Sequence, residues 1–223
     1  MHDIFEQIFS KFEPKSILCL NGSIPGKAFF KNFKNRLPII AADGATNRLM
    51  KIGIKPDIII GDLDSVDSKY LEFIPNFKNS DQSTSDFEKT LEYTKAKMIS
   101  PSIIVGLGGG YLDHILNNIN IFTASEFIAF SDSTVILNIT SSLELKLPTN
   151  TKISLFGMPE ACITTTGLKW NLCNDLLTFP GKNSALNRSY DENIRITVKE
   201  GILLCIIYLK DIRDAAFSSK KVD

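Results

Sequence analysis

The chain is 223 residues long, enough for one large domain or two smaller ones, and its 43% hydrophobic and 22% charged residues are those of an ordinary globular protein. Lysine plus arginine (25) equals aspartate plus glutamate (25), which excludes a net field that would draw the chain to nucleic acid or to an anionic membrane. Cys19, Cys162, Cys173 and Cys205 form no Cys-x-x-Cys pair and have only two histidines for company, so neither a zinc site nor a disulfide framework is expected, and a reducing cytoplasm is.

Residues 1–12 mix charged and apolar side chains, without the basic start or small-residue cleavage site of a signal peptide. Residues 16–20 (Ser-Ile-Leu-Cys-Leu) read as a first buried strand, left through an Asn21-Gly22 turn. Residues 27–37 set Phe29, Phe30 and Phe33 among lysines, the pattern of an amphipathic helix with a solvated basic face. A second strand over 39–42 ends at Asp43-Gly44-Ala45, and a helical stretch over 46–52 follows.

Residues 56–65 (Pro-Asp-Ile-Ile-Ile-Gly-Asp-Leu-Asp-Ser) organise the rest. The isoleucine run suits a strand buried on both faces of a parallel sheet. Asp62 and Asp64, two apart, would project together from its carboxyl end, where open α/β sheets bind ligands. Carboxylates so close repel unless a cation lies between them, and an all-oxygen site favours Mg²⁺ with substrate phosphates. The alternative is a polar Asp-x-Asp-Ser turn. Asp43 recurs at the end of the preceding strand, so adjacent parallel strands would bring Asp43, Asp62 and Asp64 to one rim.

In Asp81-Gln-Ser-Thr-Ser-Asp-Phe-Glu-Lys89, Ser85 and Glu88 form a capping-box signature for a helix through Leu91 and Tyr93. Asp86 is then either a first-turn carboxylate or a third metal ligand. A strand over 102–105 leads into Gly106-Leu-Gly-Gly-Gly110, whose backbone can approach phosphate closely. No Gly-Lys-Ser/Thr follows, and Tyr111 occupies the third glycine position of the dinucleotide fingerprint, which argues against a dehydrogenase. The next helix carries an apolar stripe of Leu112, Ile115, Leu116, Ile119 and Phe122, with Asp113 and Asn117 on another face. His114 is either a base or, the reading favoured, a hydrogen-bonded structural histidine.

After residues 127–130 only short strand-like runs remain: 135–139, 143–147, 153–156, 162–166, 176–179, 194–198 and 202–209. Their spacing predicts an all-β sandwich or barrel, and the last run is too short to span a bilayer as a helix. The expected domains are a mostly parallel α/β domain over 1–131 and a smaller β domain over 132–223, with a frayed tail from 217. Trp170 is expected in the β-domain core.

Taken in order, Asp43-Gly44-Ala45, Gly61-Asp62-Leu63-Asp64-Ser65, Asp81-Gln82-Ser83-Thr84-Ser85-Asp86 and Gly109-Gly110-Tyr111-Leu112-Asp113-His114 resemble the motifs of thiamine pyrophosphokinases across nearly the whole chain. Residues 184–187 are a weaker match to that family's Ser-Asn element. The resemblance implies a homodimer that moves the pyrophosphoryl group of ATP onto the alcohol of thiamine and releases AMP. It implies Mg²⁺ on Asp62, Asp64 and Asp86, with Asp43 beside them as a catalytic residue. ATP would be held by Gln82, Lys89, Gly109, Gly110 and Tyr111. Thiamine would lie between subunits, against Asp113, Asn117, Ser184, Asn187 and Tyr190. Three positions depart from the pattern: Tyr111 replaces an arginine, Leu186 a serine and Ser85 a threonine. They keep two other readings open, a pyrophosphokinase for another heteroaromatic alcohol such as a hydroxymethylpterin, and a nucleotide-binding protein without turnover.

Overall fold

The computed structural model describes residues 2–33, 37–124, 128–131 and 133–209; the expected tail, Phe127 and residues 34–36 of the expected second helix lie outside these. Two compact units form, one of residues 13–132 and one of residues 1–12 with 133–223. Helix α1 (His2–Phe12) therefore belongs with the β-rich unit, although the expected boundary puts it in the α/β domain.

The α/β unit holds six parallel strands: β1 (Ser16–Cys19), β2 (Ile39–Ala42), β3 (Ile58–Gly61), β4 (Asn76–Lys78), β5 (Ser102–Val105) and β6 (Ile128–Phe130). Their order is β6-β5-β1-β2-β3-β4. Every residue of β1, β2 and β5 is buried, as a sheet covered on both faces requires. The chain runs outward from β1 to β4, then restarts on the other side of β1, so the topology switches between β1 and β5. Crevices for ligands open at such switch points, outside the carboxyl ends of the strands. The helices are α2 (Lys27–Lys31), α3 (Ala45–Lys51), α4 (Ser68–Leu71), α5 (Asp86–Ala96) and α6 (Leu112–Thr123). The α6 stripe departs from expectation. Leu112 and Leu116 are 70% and 53% exposed, and the helix is anchored at its far end by buried Ile121 and Phe122.

The β unit is antiparallel: β7 (Thr134–Ile139), β8 (Ser142–Lys146), β9 (Lys152–Thr166), β10 (Asp175–Thr178), β11 (Ser184–Arg188) and β12 (Asn193–Tyr208). Four of the short runs expected from sequence merge into two long strands. β9 joins 153–156 to 162–166, and β12 joins 194–198 to 202–209 through register shifts at Val198/Glu200 and Gly201/Leu203. Bulges absorb what looked like turns.

Helix α1 buries Ile4 and Ile8 and covers the outer edge of β8. The Gln7 amide makes both hydrogen bonds a neighbouring strand would make: Nε2 donates to Lys146 O (3.2 Å), and Lys146 N donates to Oε1 (2.7 Å). Lys11 Nζ donates to Ser142 O, four residues away along the same edge. Among the described residues, no helix is long and apolar enough to cross a membrane.

Candidate active site

Asp43, Asp62 and Asp64 meet at the carboxyl ends of β2 and β3, with one carboxylate oxygen of each within 4.8 Å of the others. The route to this cluster differs from strand periodicity. β3 stops at Gly61, and Leu63 turns the chain with φ 69°, packing against Ile59, Val66 and Ile74 while Asp62 and Asp64 face outward. Asp64 N closes the turn on Asp62 Oδ1 (3.4 Å). Gly61 is required by crowding: a Cβ there would lie 2.8 Å from Asp43 Cβ and 3.2 Å from Asp86 Oδ1. Asp86 thus sits against the same rim, at the start of α5.

Asp43 is 3% exposed; Ser65 N donates to its Oδ2 (3.3 Å), and its buried Oδ1 has no hydrogen-bond partner. Burial pushes its carboxyl above the usual carboxylate range, and Asp86, Asp62 and Asp64 add to that; the Ser65 bond opposes it. Burial likewise raises Asp86, against the pull of Lys89. Asp62 is lowered, chiefly by the Gln82 Nε2 hydrogen bond to its Oδ2 (3.0 Å). An orphaned buried oxygen among three acids is a donor set for a hard divalent cation.

The predicted capping box is present: Ser85 Oγ accepts from Glu88 N (3.3 Å), and Ser85 N donates to Glu88 Oε2 (2.8 Å). It fixes the first turn of α5 and with it Asp86. Lys89 is 4% exposed and turns inward, its Nζ 3.4 Å from Asp86 Oδ1. Asn47 was not singled out from sequence, yet it ties the acidic turn to α3: its Nδ2 donates to Ser65 O (2.8 Å), and its Oδ1 accepts from Asp67 N (3.0 Å).

At the switch point the exits of β1 and β5 interlock. Gly22 N donates to Gly106 O (3.1 Å) and Ser23 N to Gly108 O (2.7 Å). A Cβ on Gly22 would fall 2.2 Å from both carbonyl oxygens, so only glycine fits. Gly110 has open space around its Cα, Tyr111 is 80% exposed, and Asp113 and Asn117 are exposed on α6. Asp113 Oδ1 accepts from His114 N (2.8 Å).

In the β unit Asn187 is 1% exposed and saturated. Its Nδ2 donates to Trp170 O (2.7 Å) and Ser184 Oγ (3.1 Å), while its Oδ1 accepts from Arg188 N (2.8 Å) and Trp170 N (3.3 Å). Leu186, with φ 54°, forms the irregularity in β11 that turns Asn187 inward. Trp170 is no core residue: it is 55% exposed, with Lys169 Nζ 4.8 Å from its ring centroid. Its backbone is held by Asn187, which leaves its ring outside.

Two family models match the chain, the thiamin pyrophosphokinase catalytic domain over residues 30–135 and the thiamin pyrophosphokinase vitamin B1 binding domain over residues 136–203. Thiamine pyrophosphokinase 3 of Oryza sativa subsp. japonica is 30% identical over 222 residues, covering 82% of this chain and 82% of the relative. Thiamine pyrophosphokinase 1 of Arabidopsis thaliana is 27% identical over 233 residues, covering 86% and 85%. In fold, the chain is similar to the thiamine pyrophosphokinase from Bacillus subtilis (TM-score 0.73, 20% identity, 87% of this chain and 99% of that one). It is equally similar to yeast thiamin pyrophosphokinase (TM-score 0.73, 22% identity, 89% and 87%).

Proposed function

The chain belongs to the thiamine pyrophosphokinase family, and from that premise we propose how its own residues carry the transfer of a pyrophosphoryl group from ATP to thiamine, giving thiamine diphosphate and AMP. The α/β unit is the catalytic part and the β unit the thiamine-binding part. Mg²⁺ is the cation, held by Asp62, Asp64 and Asp86 with Asp43 completing the rim. When bound, it neutralises phosphate charge and aligns the β-phosphorus. Displacement at phosphorus depends on positioning and charge neutralisation more than on a covalent nucleophile. Gln82 keeps Asp62 oriented and ionised. Asp86, fixed at the first turn of α5 and braced by Lys89, would be the third carboxylate on the ion, and a rim carboxylate that the ion leaves free would take the hydroxyl proton. The glycine loop through Gly109 and Gly110 offers backbone N–H groups to the phosphates, with Tyr111 at its edge.

Thiamine carries a flat cationic thiazolium ring, for which the exposed ring of Trp170 or of Tyr190 offers a stacking surface, with Ser184 as a hydrogen-bonding group. Asp113 and Asn117 would meet the aminopyrimidine from the α/β unit of the other subunit of a homodimer. Four unpaired cysteines suit a cytoplasmic location.

The observation that carries the reading is the orphaned Asp43 oxygen among converging carboxylates, in a chain that both family models match. Every model and relative named above is a thiamine pyrophosphokinase, which leaves the pterin and turnover-free readings without support. The deciding experiment measures AMP release from Mg·ATP with thiamine, with a hydroxymethylpterin and with no acceptor. Thiamine-dependent AMP with matching thiamine diphosphate is expected; AMP release indifferent to thiamine would sink the assignment.

A further inference from the structure

Asp43, Asp62 and Asp64 bring one oxygen each within 4.8 Å of the others, and like charges at that range drive each other apart unless the backbone beneath them is fastened. The acidic turn between β3 and α4 has weak polar fastenings of its own. Asp64 N reaches Asp62 Oδ1 at 3.4 Å and Ser65 N reaches Asp43 Oδ2 at 3.3 Å, both longer than a good N–H···O bond. The shorter bond from Ser65 Oγ to Asp64 Oδ1 (2.9 Å) joins two residues of the turn and ties it to nothing outside. Leu63 anchors the turn from below in the Ile59–Val66–Ile74 cluster, and Gln82 holds the Asp62 side chain.

Asn47 fastens the remaining side. Its Nδ2 donates to Ser65 O (2.8 Å) and its Oδ1 accepts from Asp67 N (3.0 Å), so one amide grips the backbone on either side of Val66, as one residue of a parallel neighbouring strand would. The grip needs a donor and an acceptor at one tip and a fixed reach from α3: aspartate lacks the donor, and glutamine is one methylene too long. Asn47 is itself tied to the Asp43 side of the rim. Thr46 N donates to Asp43 O (3.0 Å) and Asn47 N to Gly44 O (3.2 Å), while buried Ala45, Thr46 and Leu49 anchor the helix. Asn47 thus joins the turn that carries Asp43 to the turn that carries Asp62 and Asp64, and it sets the gap between them.

We propose that Asn47 is a positioning residue that holds this gap at the width a small divalent cation needs, and so makes the rim selective for Mg²⁺ over Ca²⁺. The inference rests on the metal reading above. Mg²⁺ demands near-octahedral oxygens at about 2.0–2.1 Å, whereas Ca²⁺ accepts more oxygens, at about 2.3–2.6 Å, in flexible geometry. A rim that can widen therefore loses Mg²⁺ first. Both polar atoms of the Asn47 amide bond backbone, so the residue acts through the turn.

The test titrates the full chain with MgCl2 and, separately, with CaCl2, without nucleotide or thiamine, and takes each dissociation constant from the rise in Tm. Asn47→Ala should weaken Mg²⁺ about 10- to 100-fold, the usual loss when a group that orients a metal ligand is removed. It should weaken Ca²⁺ less, so that the ratio of the Ca²⁺ to the Mg²⁺ dissociation constant falls about tenfold. Asn47→Gln keeps a neutral amide but misplaces it, and should shift the ratio the same way. Asn76→Ala is the control. Asn76 Nδ2 donates to Leu71 O (3.3 Å) and Ile74 O (3.2 Å) at the amino end of β4, so its loss should lower the metal-free Tm and leave the ratio unchanged. In turnover, raised Mg²⁺ should restore kcat to Asn47→Ala, with the KM for thiamine unmoved. A lower Tm with an unchanged ratio, equal losses of both ions, or a ratio moved as far by Asn76→Ala would overturn the inference and leave Asn47 a structural residue. Asp64→Asn separates this from failure of the metal reading: if it leaves Mg²⁺ binding intact, or the parent binds no Mg²⁺, the metal site is wrong and the inference falls with it.

Discussion

Replacing Asn187 by alanine removes a side chain that is 1% exposed and makes four hydrogen bonds within its own unit. The two short ones, to Trp170 O (2.7 Å) and from Arg188 N (2.8 Å), are each worth about 0.5–1.5 kcal/mol net. A backbone group that stays dry after truncation costs about 1–3 kcal/mol instead. With one or two of the four groups left dry, the loss comes to about 2–4 kcal/mol. The chain has one tryptophan, and it is the residue Asn187 holds, so urea unfolding read by Trp170 fluorescence reports on the clamp itself. Asn187→Asp keeps the acceptor for Trp170 N and Arg188 N but turns a buried carboxylate oxygen on Trp170 O, and should cost at least as much as alanine. Both variants should raise the KM for thiamine by letting Trp170 and Ser184 move. Stability within about 0.5 kcal/mol of the parent, together with a tenfold higher KM for thiamine, would refute the clamp and make Asn187 a direct substrate ligand.

Asp43→Asn relieves a buried, crowded carboxylate, so the metal-free protein should gain about 1 kcal/mol, or 2–4 °C in Tm, while losing the stabilisation that Mg²⁺ confers on the parent. Differential scanning calorimetry with and without Mg²⁺ checks both halves, and a Mg²⁺ shift as large as the parent's would remove Asp43 from the metal site. Gly22→Ala forces a methyl to within 2.2 Å of two carbonyl oxygens and should cost about 1–3 kcal/mol while raising the KM for ATP; parent-like values in both would contradict the interlocked loops. Tyr111→Arg, at an 80%-exposed position, should leave stability unchanged and lower the KM for ATP about tenfold by adding a charge-assisted contact; an unchanged KM would mean that residue 111 points away from the phosphates.

Much of the α/β unit was legible because its signals are local. Fully buried strands read as short β-branched runs, and the Ser85–Glu88 capping box is a spacing rule that the structure obeys. The convergence of Asp43 with Asp62 and Asp64 followed from placing strand ends side by side. The cause of the Asp62–Asp64 alignment did not, since it rests on Leu63 taking a left-handed conformation and burying itself in the Ile59–Val66–Ile74 cluster. Local patterns also cannot show what covers a helix. The α6 periodicity predicted a core stripe, yet Leu112 and Leu116 are exposed, and full burial is confined to Ile121 and Phe122 at the carboxyl end of that helix. Strand β11, Ser-Ala-Leu-Asn-Arg, has too little apolar alternation to be seen, and its inward asparagine depends on a bulge. Asn47 and Arg48 carry no local signal, because their partners, the acidic turn and the Asn21 loop, are distant in sequence.

The α1–β8 edge sets an order of events on the ribosome. Gln7 and the strand residue it caps are 139 positions apart, so the helix is made early and its docking site late. At about 5–20 residues per second, the nascent helix waits roughly 7–28 s with Ile4 and Ile8 uncovered. The α/β unit, continuous from residue 13 to 132, can finish folding within that interval, whereas the β unit cannot close until both ends of the chain exist. Until then the outer edge of β8 has open N–H and C=O groups that any passing strand can pair with. That first interval exposes the amphipathic segment alone; between the emergence of β8 and the closure of the unit, the segment and the open strand edge are both available to chaperones, or to another nascent chain.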